Sequence, residues 1–197
     1  MNFKYVQQQK NGFALLLAII VSSIVLAIGV SLLQISVNQI NLASTARESE
    51  IAFQSASAGE ECMQYWRYFE PNFTTTATQN VAPSVQCFGA SAHSGAKSIR
   101  TNFGGTPSTG YTDHFTYEFS LGNKSTDACI QVEMYVMNAF GASITQSFSN
   151  AAVGNNGSKT CNVGGTCTVL ISTGYNRSCT TLGTDIFSVQ RELTLEF

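Results

Sequence analysis

Six cysteines hold most of the covalent chemistry this chain could perform: Cys62, Cys87, Cys129, Cys161, Cys167 and Cys179. All lie beyond residue 61, and an even set placed on one side of an apolar stretch suggests disulfides in an oxidising space. Six allow fifteen pairings. The most readable pair is Cys161 with Cys167, around Asn-Val-Gly-Gly-Thr. If Asn162 and Thr166 face each other, a three-residue hairpin loop remains. Gly165 then takes the positive φ such a loop needs, and the cysteines sit opposite each other. Cys62 and Cys87 could tie a helix end to the loop after it, which leaves Cys129 and Cys179. Cys129 shares the parity of Gln131 and Glu133, the polar side of its strand. Its bond therefore lies on the outer face, or a bulge intervenes.

The alternatives for these residues are poor. A zinc site wants close pairs such as C-x2-C with reduced thiols. The Cys161–Cys167 spacing does not provide one, and no metal or other cofactor is expected. His93 and His114 are the only histidines. Asp113-His114 with a distant serine would imitate a triad, but neighbours in a strand point to opposite faces and no nucleophile motif accompanies them. Gly104-Gly105 and Gly164-Gly165 open no helix, so they read as turns rather than phosphate cradles. Catalysis is not expected. The net charge is −2 and charged residues make up 11 % of the chain. The basic residues form no cluster, which argues against a nucleic-acid partner.

The elements that position these residues begin with a long apolar run. Residues 11–46 carry no charge, and residues 13–33 are almost wholly apolar. About 20 such residues in a helix span a bilayer core. Lys4 and Lys10 precede the run and the cysteines follow it, so the N-terminus is expected on the cytoplasmic side of the inner membrane and the rest exported. A secretory signal peptide has a shorter apolar region, and the one candidate cleavage site, Ala43-Ser44-Thr45-Ala46, lies far past its end. A plain single-pass anchor is the other simple reading.

No proline occurs before Pro71, so nothing from Phe13 onwards must break a helix until Glu70-Pro71-Asn72. Past the membrane, Ile51, Ala58, Cys62, Tyr65 and Phe69 recur near helical spacing, with Met63 and Trp66 beside them. This stripe is expected to pack on the globular part. A ligand-binding box of Tyr65, Trp66, Tyr68 and Phe69 is the rival. Residues 72–112 read as loops with one short strand at 85–88. Alternating patterns then predict strands at 115–121, 128–136 and 187–197, with a weaker one at 141–148 and a β-rich stretch at 167–173. Arg191 interrupts the last pattern and should lie near an edge or meet an acid. Asn155-Asn156-Gly157 marks a turn. The sum is α+β, a long helix followed by an antiparallel meander.

Two short segments resemble a known family. Lys10-Asn11-Gly12-Phe13 resembles a prepilin peptidase site: a basic leader, a glycine, then phenylalanine and an apolar helix. Further on, Arg47, Ala52, Phe53, Gln54, Ala56 and Gly59 look like the Arg…Ala-Phe-Gln-x-Ala-x-x-Gly pattern of type IV minor pilins with a PilX-type N-terminal domain. The resemblance covers residues 10–66. It implies cleavage between Gly12 and Phe13, methylation of the new Phe13 amine, and a pilin-like fold. The organisation would be leader 1–12, membrane helix 13–36, amphipathic continuation 37–70 and exported β-rich head 71–197. The implied partners are prepilin peptidase, the cytoplasmic membrane and other pilin subunits, and the implied destination is a surface filament. One departure stands out. Most major pilins carry Glu at the fifth mature position, which is Leu17 here. Its absence resembles tip-type minor pilins and the large pseudopilin of type II secretion, and argues against a bulk subunit. The alternatives are a type II secretion pseudopilin and a membrane-tethered binding or adhesin domain.

Overall fold

The computed structural model describes residues 9–69, 73, 82–92, 97–105, 109–121, 127–149, 153–154, 156–182 and 188–197. The proposed helix stop at Glu70-Pro71-Asn72 and most of the leader lie outside these residues. Contacts divide the chain into two units, Met1–Ala46 and Arg47–Phe197. A single helix, α1 (Gln9–Phe69), begins in the first and ends in the second.

The second unit is a helix against a sheet. The strands are β1 (Gln86–Cys87), β2 (Ala90–Ser91), β3 (Lys97–Asn102), β4 (Tyr111–Ser120), β5 (Cys129–Asn138), β6 (Ile144–Ser147), β7 (Ser158–Cys161), β8 (Thr166–Tyr175) and β9 (Gln190–Glu196). The main sheet is antiparallel throughout, in the order β3-β4-β5-β8-β9. Strand alternation assigns its two faces. Phe115, Tyr117, Phe119, Ile130, Val132, Met134, Val136 and Leu170 form a buried core together with Met63 of α1, Phe73 and Val85. The opposite face carries a second core of Met137, Val169 and Ile171. That core is covered by Ile144 and Cys161 of the separate β6-β7 sheet. The fold is therefore α+β, as the sequence patterns predict.

Four expectations are corrected. First, β3 falls inside residues read as loops. Only Ile99 among Lys97–Asn102 is a large apolar residue, so no alternation marks the strand. Arg100 instead forms a bidentate pair with the buried Asp113 of β4, at 2.7 and 2.8 Å.

Second, the stripe of α1 that packs on the sheet is not the large-residue one. Tyr65 and Phe69 are 55 % and 68 % exposed, while Ala52, Ser55, Ala56, Gly59 and Met63 are buried. The reason is closeness. A methyl group at Gly174 of β8 would stand closer than 3.0 Å to the Ala52 carbonyl oxygen and the Ala56 amide. Only small side chains admit such contact, and small side chains give a weak hydrophobic signal.

Third, Cys161 and Cys167 do not face each other across a hairpin. Cys161 pairs with Ile144 and Cys167 with Met137. Fourth, the turn between them places Gly164, not Gly165, at positive φ (80°), and the Gly165 amide donates to the Asn162 carbonyl at 3.0 Å. Positive φ at the third position of such a turn is the place where glycine is favoured.

Candidate functional site

The first unit is helical over its described residues. Every side chain described from Phe13 to Ala46 is exposed, including Leu15, Leu17, Ile19, Ile24, Leu26 and Leu33. α1 is long and apolar enough to cross a bilayer. Three of its hydroxyls bond back to the helix itself. Ser22 Oγ donates to the Ile19 carbonyl (3.0 Å), Ser23 Oγ to Ile20 (2.8 Å) and Thr45 Oγ1 to Asn41 (2.9 Å). A hydroxyl bonded to its own helix removes the unmet donor that lipid penalises. Ala14, Ala18 and Ser22 align at four-residue spacing and, with Leu17, Val21 and Val25, form one exposed, mostly apolar side of the helix. Small residues at that spacing let a second helix approach closely in lipid. The helix runs through the Gly12–Phe13 bond.

The six residues of the second segment divide by face. Ala52, Ala56 and Gly59 turn inward. A methyl group at Gly59 would stand 2.5 Å from Ile130 Cγ2 and 2.6 Å from Ser172 Oγ. Ser172 Oγ itself donates to the Ala56 carbonyl at 2.7 Å, a buried bond between strand and helix. Arg47, Phe53 and Gln54 turn outward. Gln54 Nε2 donates to Glu50 Oε1 one turn earlier at 3.1 Å, and Phe53 is 50 % exposed. Three of these residues seat the helix, and three present a surface.

Near Arg47, polar bonds anchor α1. Asn176 donates through its side-chain amide to Glu48, and Arg177 Nη2 stands 3.5 Å from the same carboxylate. Arg191 donates to Ser49 Oγ from Nε (2.9 Å) and Nη2 (2.7 Å). Arg191 thus breaks the apolar face of an edge strand in order to reach a hydroxyl on the helix.

The cysteines form three disulfides: Cys62–Cys87, Cys129–Cys179 and Cys161–Cys167. The register from Tyr111↔Asn138 to Ser120↔Cys129 is unbroken, so Cys129 lies on the outer face without a bulge. Cys161–Cys167 joins the β6-β7 sheet to the main sheet. At the other end of β7, Lys159 Nζ meets Glu196 Oε2 at 2.6 Å, and the Gly154 amide donates to the other carboxylate oxygen. Lys159 holds the Glu196 carboxyl below the ordinary glutamate range, with help from the Gly154 amide.

One group of possible metal ligands occurs among the described residues: Glu118, Cys129 and Cys179. Both sulfurs are already bonded to each other, which leaves one carboxylate and no chelate. Asp113 and His114 point to opposite faces, as strand geometry requires. Asp113 pairs with Arg100, while His114 stacks on Tyr135 (centroids 4.1 Å apart) and its Nε2 lies 3.3 Å from Glu133 Oε2. That proximity and the Tyr135 hydroxyl lower the Glu133 pKa. His93 lies outside the described residues.

No protein-family model matches the chain, and neither the curated proteins nor the solved structures provide a match.

Proposed function

We propose that this chain is a structural subunit of a type IV pilin-like filament, of the minor-pilin kind, released for assembly by prepilin peptidase cleavage between Gly12 and Phe13. The observation that carries this reading is the first unit. From Phe13 to Ala46 it is an uncharged, largely apolar helix whose described side chains are all exposed, with a stripe of small residues along one side and hydroxyls at Ser22 and Ser23 bonded within the helix. Such a surface suits storage in a bilayer and then burial against other helices. Lys10, Gly12 and Phe13 add the processing signal, and three disulfides suit an exported head. Leu17 further shapes the role. A buried Glu needs a charged partner, and in a stack of pilins that partner is the amine of a neighbour. With Leu17, neither the cost nor the register signal exists. The subunit therefore caps or starts a filament rather than repeating along it.

Quantitative mass spectrometry of sheared filaments tests this. The expected result is a mature chain beginning at Phe13, present at far below the level of the main subunit. If the chain dominates the filament, the minor assignment fails. If it stays in the membrane and is absent from filaments, a tethered domain is the better account. Recovery in a secretion pseudopilus would move the same assembly mechanism to another machine.

A further inference from the structure

One end of the head carries aromatic rings that its core does not use. Tyr65, Tyr68 and Phe69 occupy the last turns of α1 and are 55, 67 and 68 % exposed. Phe197, just after β9, is 36 % exposed. The rings stand in two stacked pairs. Tyr65 lies on Phe69 with centroids 4.4 Å apart and planes 30° from parallel, and Tyr68 lies on Phe197 at 5.5 Å and 20°. Trp66 meets Tyr65 edge-on at 6.0 Å and is fixed by its indole N–H, which donates to the Gln86 carbonyl at 2.9 Å. The rings are thus mutually braced, with outer faces left to water.

Size and charge select the occupant. An aromatic side chain has roughly 200 Å² to bury, so the four exposures amount to about 450 Å². Even taken together across both pairs, that is no more than the size of functional patches on monomers, roughly 300–600 Å². It falls short of the roughly 800 Å² that each partner gives to a stable protein interface. A ligand of a few sugar rings fits the area. The one basic residue in the last turn of α1, Arg67, is turned inward. Its Nε donates to Thr168 Oγ1 at 2.9 Å, and burial lowers its pKa. Glu60 and Glu61 lie a turn or two earlier. This leaves no free cation in the last turn for a phosphate, sulfate or uronate. We propose that this aromatic surface binds an uncharged oligosaccharide, whose C–H faces stack on the rings while its hydroxyls stay hydrated or reach the Tyr65 and Tyr68 hydroxyls. Rigid, pre-stacked rings make such binding inexpensive in conformational entropy. The proposal does not depend on filament assembly.

The test uses the full chain in a detergent without a sugar headgroup. Cellotetraose, chitotetraose and maltotetraose are titrated, read by calorimetry and by the fluorescence of Trp66, the only tryptophan. At least one should bind with a Kd of about 1 mM or tighter. Affinity should be unchanged between about 0.05 and 0.5 M salt, because no charge is neutralised. Tyr68→Ala and Phe69→Ala should each weaken binding about tenfold and, being surface changes, leave the thermal midpoint nearly unmoved. The proposal is overturned if none of the three binds by about 10 mM, well above millimolar affinity, or if binding survives the double substitution. It is also overturned if heparin binds in preference with a steep salt dependence.

Discussion

Gly174→Ala puts the seating of α1 to a direct test. The added methyl would stand inside 3.0 Å of three backbone atoms of the helix, the Ala52 carbonyl oxygen, the Ala56 amide nitrogen and the Ser55 carbonyl carbon. Backbone cannot rotate away as a side chain can. Carbon and oxygen prefer about 3.5 Å, so the helix must retreat by roughly 1 Å. Overpacking of this kind costs about 1–3 kcal/mol. The retreat also lengthens the 2.7 Å bond from Ser172 Oγ to the Ala56 carbonyl, adding about 1 kcal/mol. A total near 3 kcal/mol is a large part of the 5–15 kcal/mol that holds a typical domain. For a head of this size it should lower the melting midpoint by about 6–12 °C. The assay is thermal unfolding of the full chain in detergent, followed by near-ultraviolet circular dichroism. Gly59→Ala should do less, because its methyl meets side-chain atoms, Ile130 Cγ2 and Ser172 Oγ. Gly29→Ala is the control. Nothing lies within 4 Å of its added methyl, so the head should melt as before. A Gly174→Ala midpoint within a degree or so of the parent would refute the reasoning, since the helix could not then be resting on β8.

Other expectations follow from the same contacts. The Gly12→Val chain should remain uncleaved, whereas the parent should yield a mature N-terminus at Phe13 by mass spectrometry; a start at Arg47 would instead identify a signal peptide. Loop entropy ranks the disulfides, with losses of about 4 kcal/mol for Cys129–Cys179, about 3.5 for Cys62–Cys87 and about 2.4 for Cys161–Cys167; denaturant midpoints of paired Cys→Ala variants that do not follow this order would contradict it. Glu196 has a lowered pKa, so its stabilising effect is complete above the ordinary glutamate value near 4.3 and disappears as pH falls through the lower folded value. The protection of Ile144–Ser147 against hydrogen exchange, corrected for the intrinsic pH dependence of amide exchange, should therefore fall once pH drops below the ordinary glutamate value, and Glu196→Gln should remove that step but not the one belonging to Glu133, which titrates in the same direction.

What the sequence made legible follows from how each element earns its stability. β4 and β5 bury one face and leave the other wetter, so their alternation was readable, whereas β9 alternates in sequence but buries neither face fully. β3 is an edge strand held by Arg100–Asp113 and backbone bonds, and such a strand has no hydrophobic period to read. The helix stripe was misread by about one position for the opposite reason. Alanine, serine and glycine at 52, 55, 56 and 59 carry the close contact with the sheet, while the large residues that dominate a hydrophobic pattern, Tyr65 and Phe69, face water. The pairing of Cys161 with Cys167 was legible from separation alone. The strands around them were not, because β7 turns away to pair with β6. For Cys129, strand parity posed the right question, and the unbroken register selected the outer face.

The Cys62–Cys87 bond has a mechanical meaning. Tension pulling on α1 from its N-terminal side meets non-covalent contacts first: Glu48 on Asn176 and Arg177, Ser49 on Arg191, then the small-residue seat at Ala52, Ala56 and Gly59. Each of these can slide or peel. At Cys62 the load reaches a covalent link and passes straight to Cys87, skipping the segment between them that holds Met63, Phe73 and Val85 in the core. Peeling stops there, and that part of the core is shielded from the pull. Force-extension curves should accordingly show a short release for the helix and then a stop, and a reducing agent should lengthen the extension by the slack of the enclosed loop.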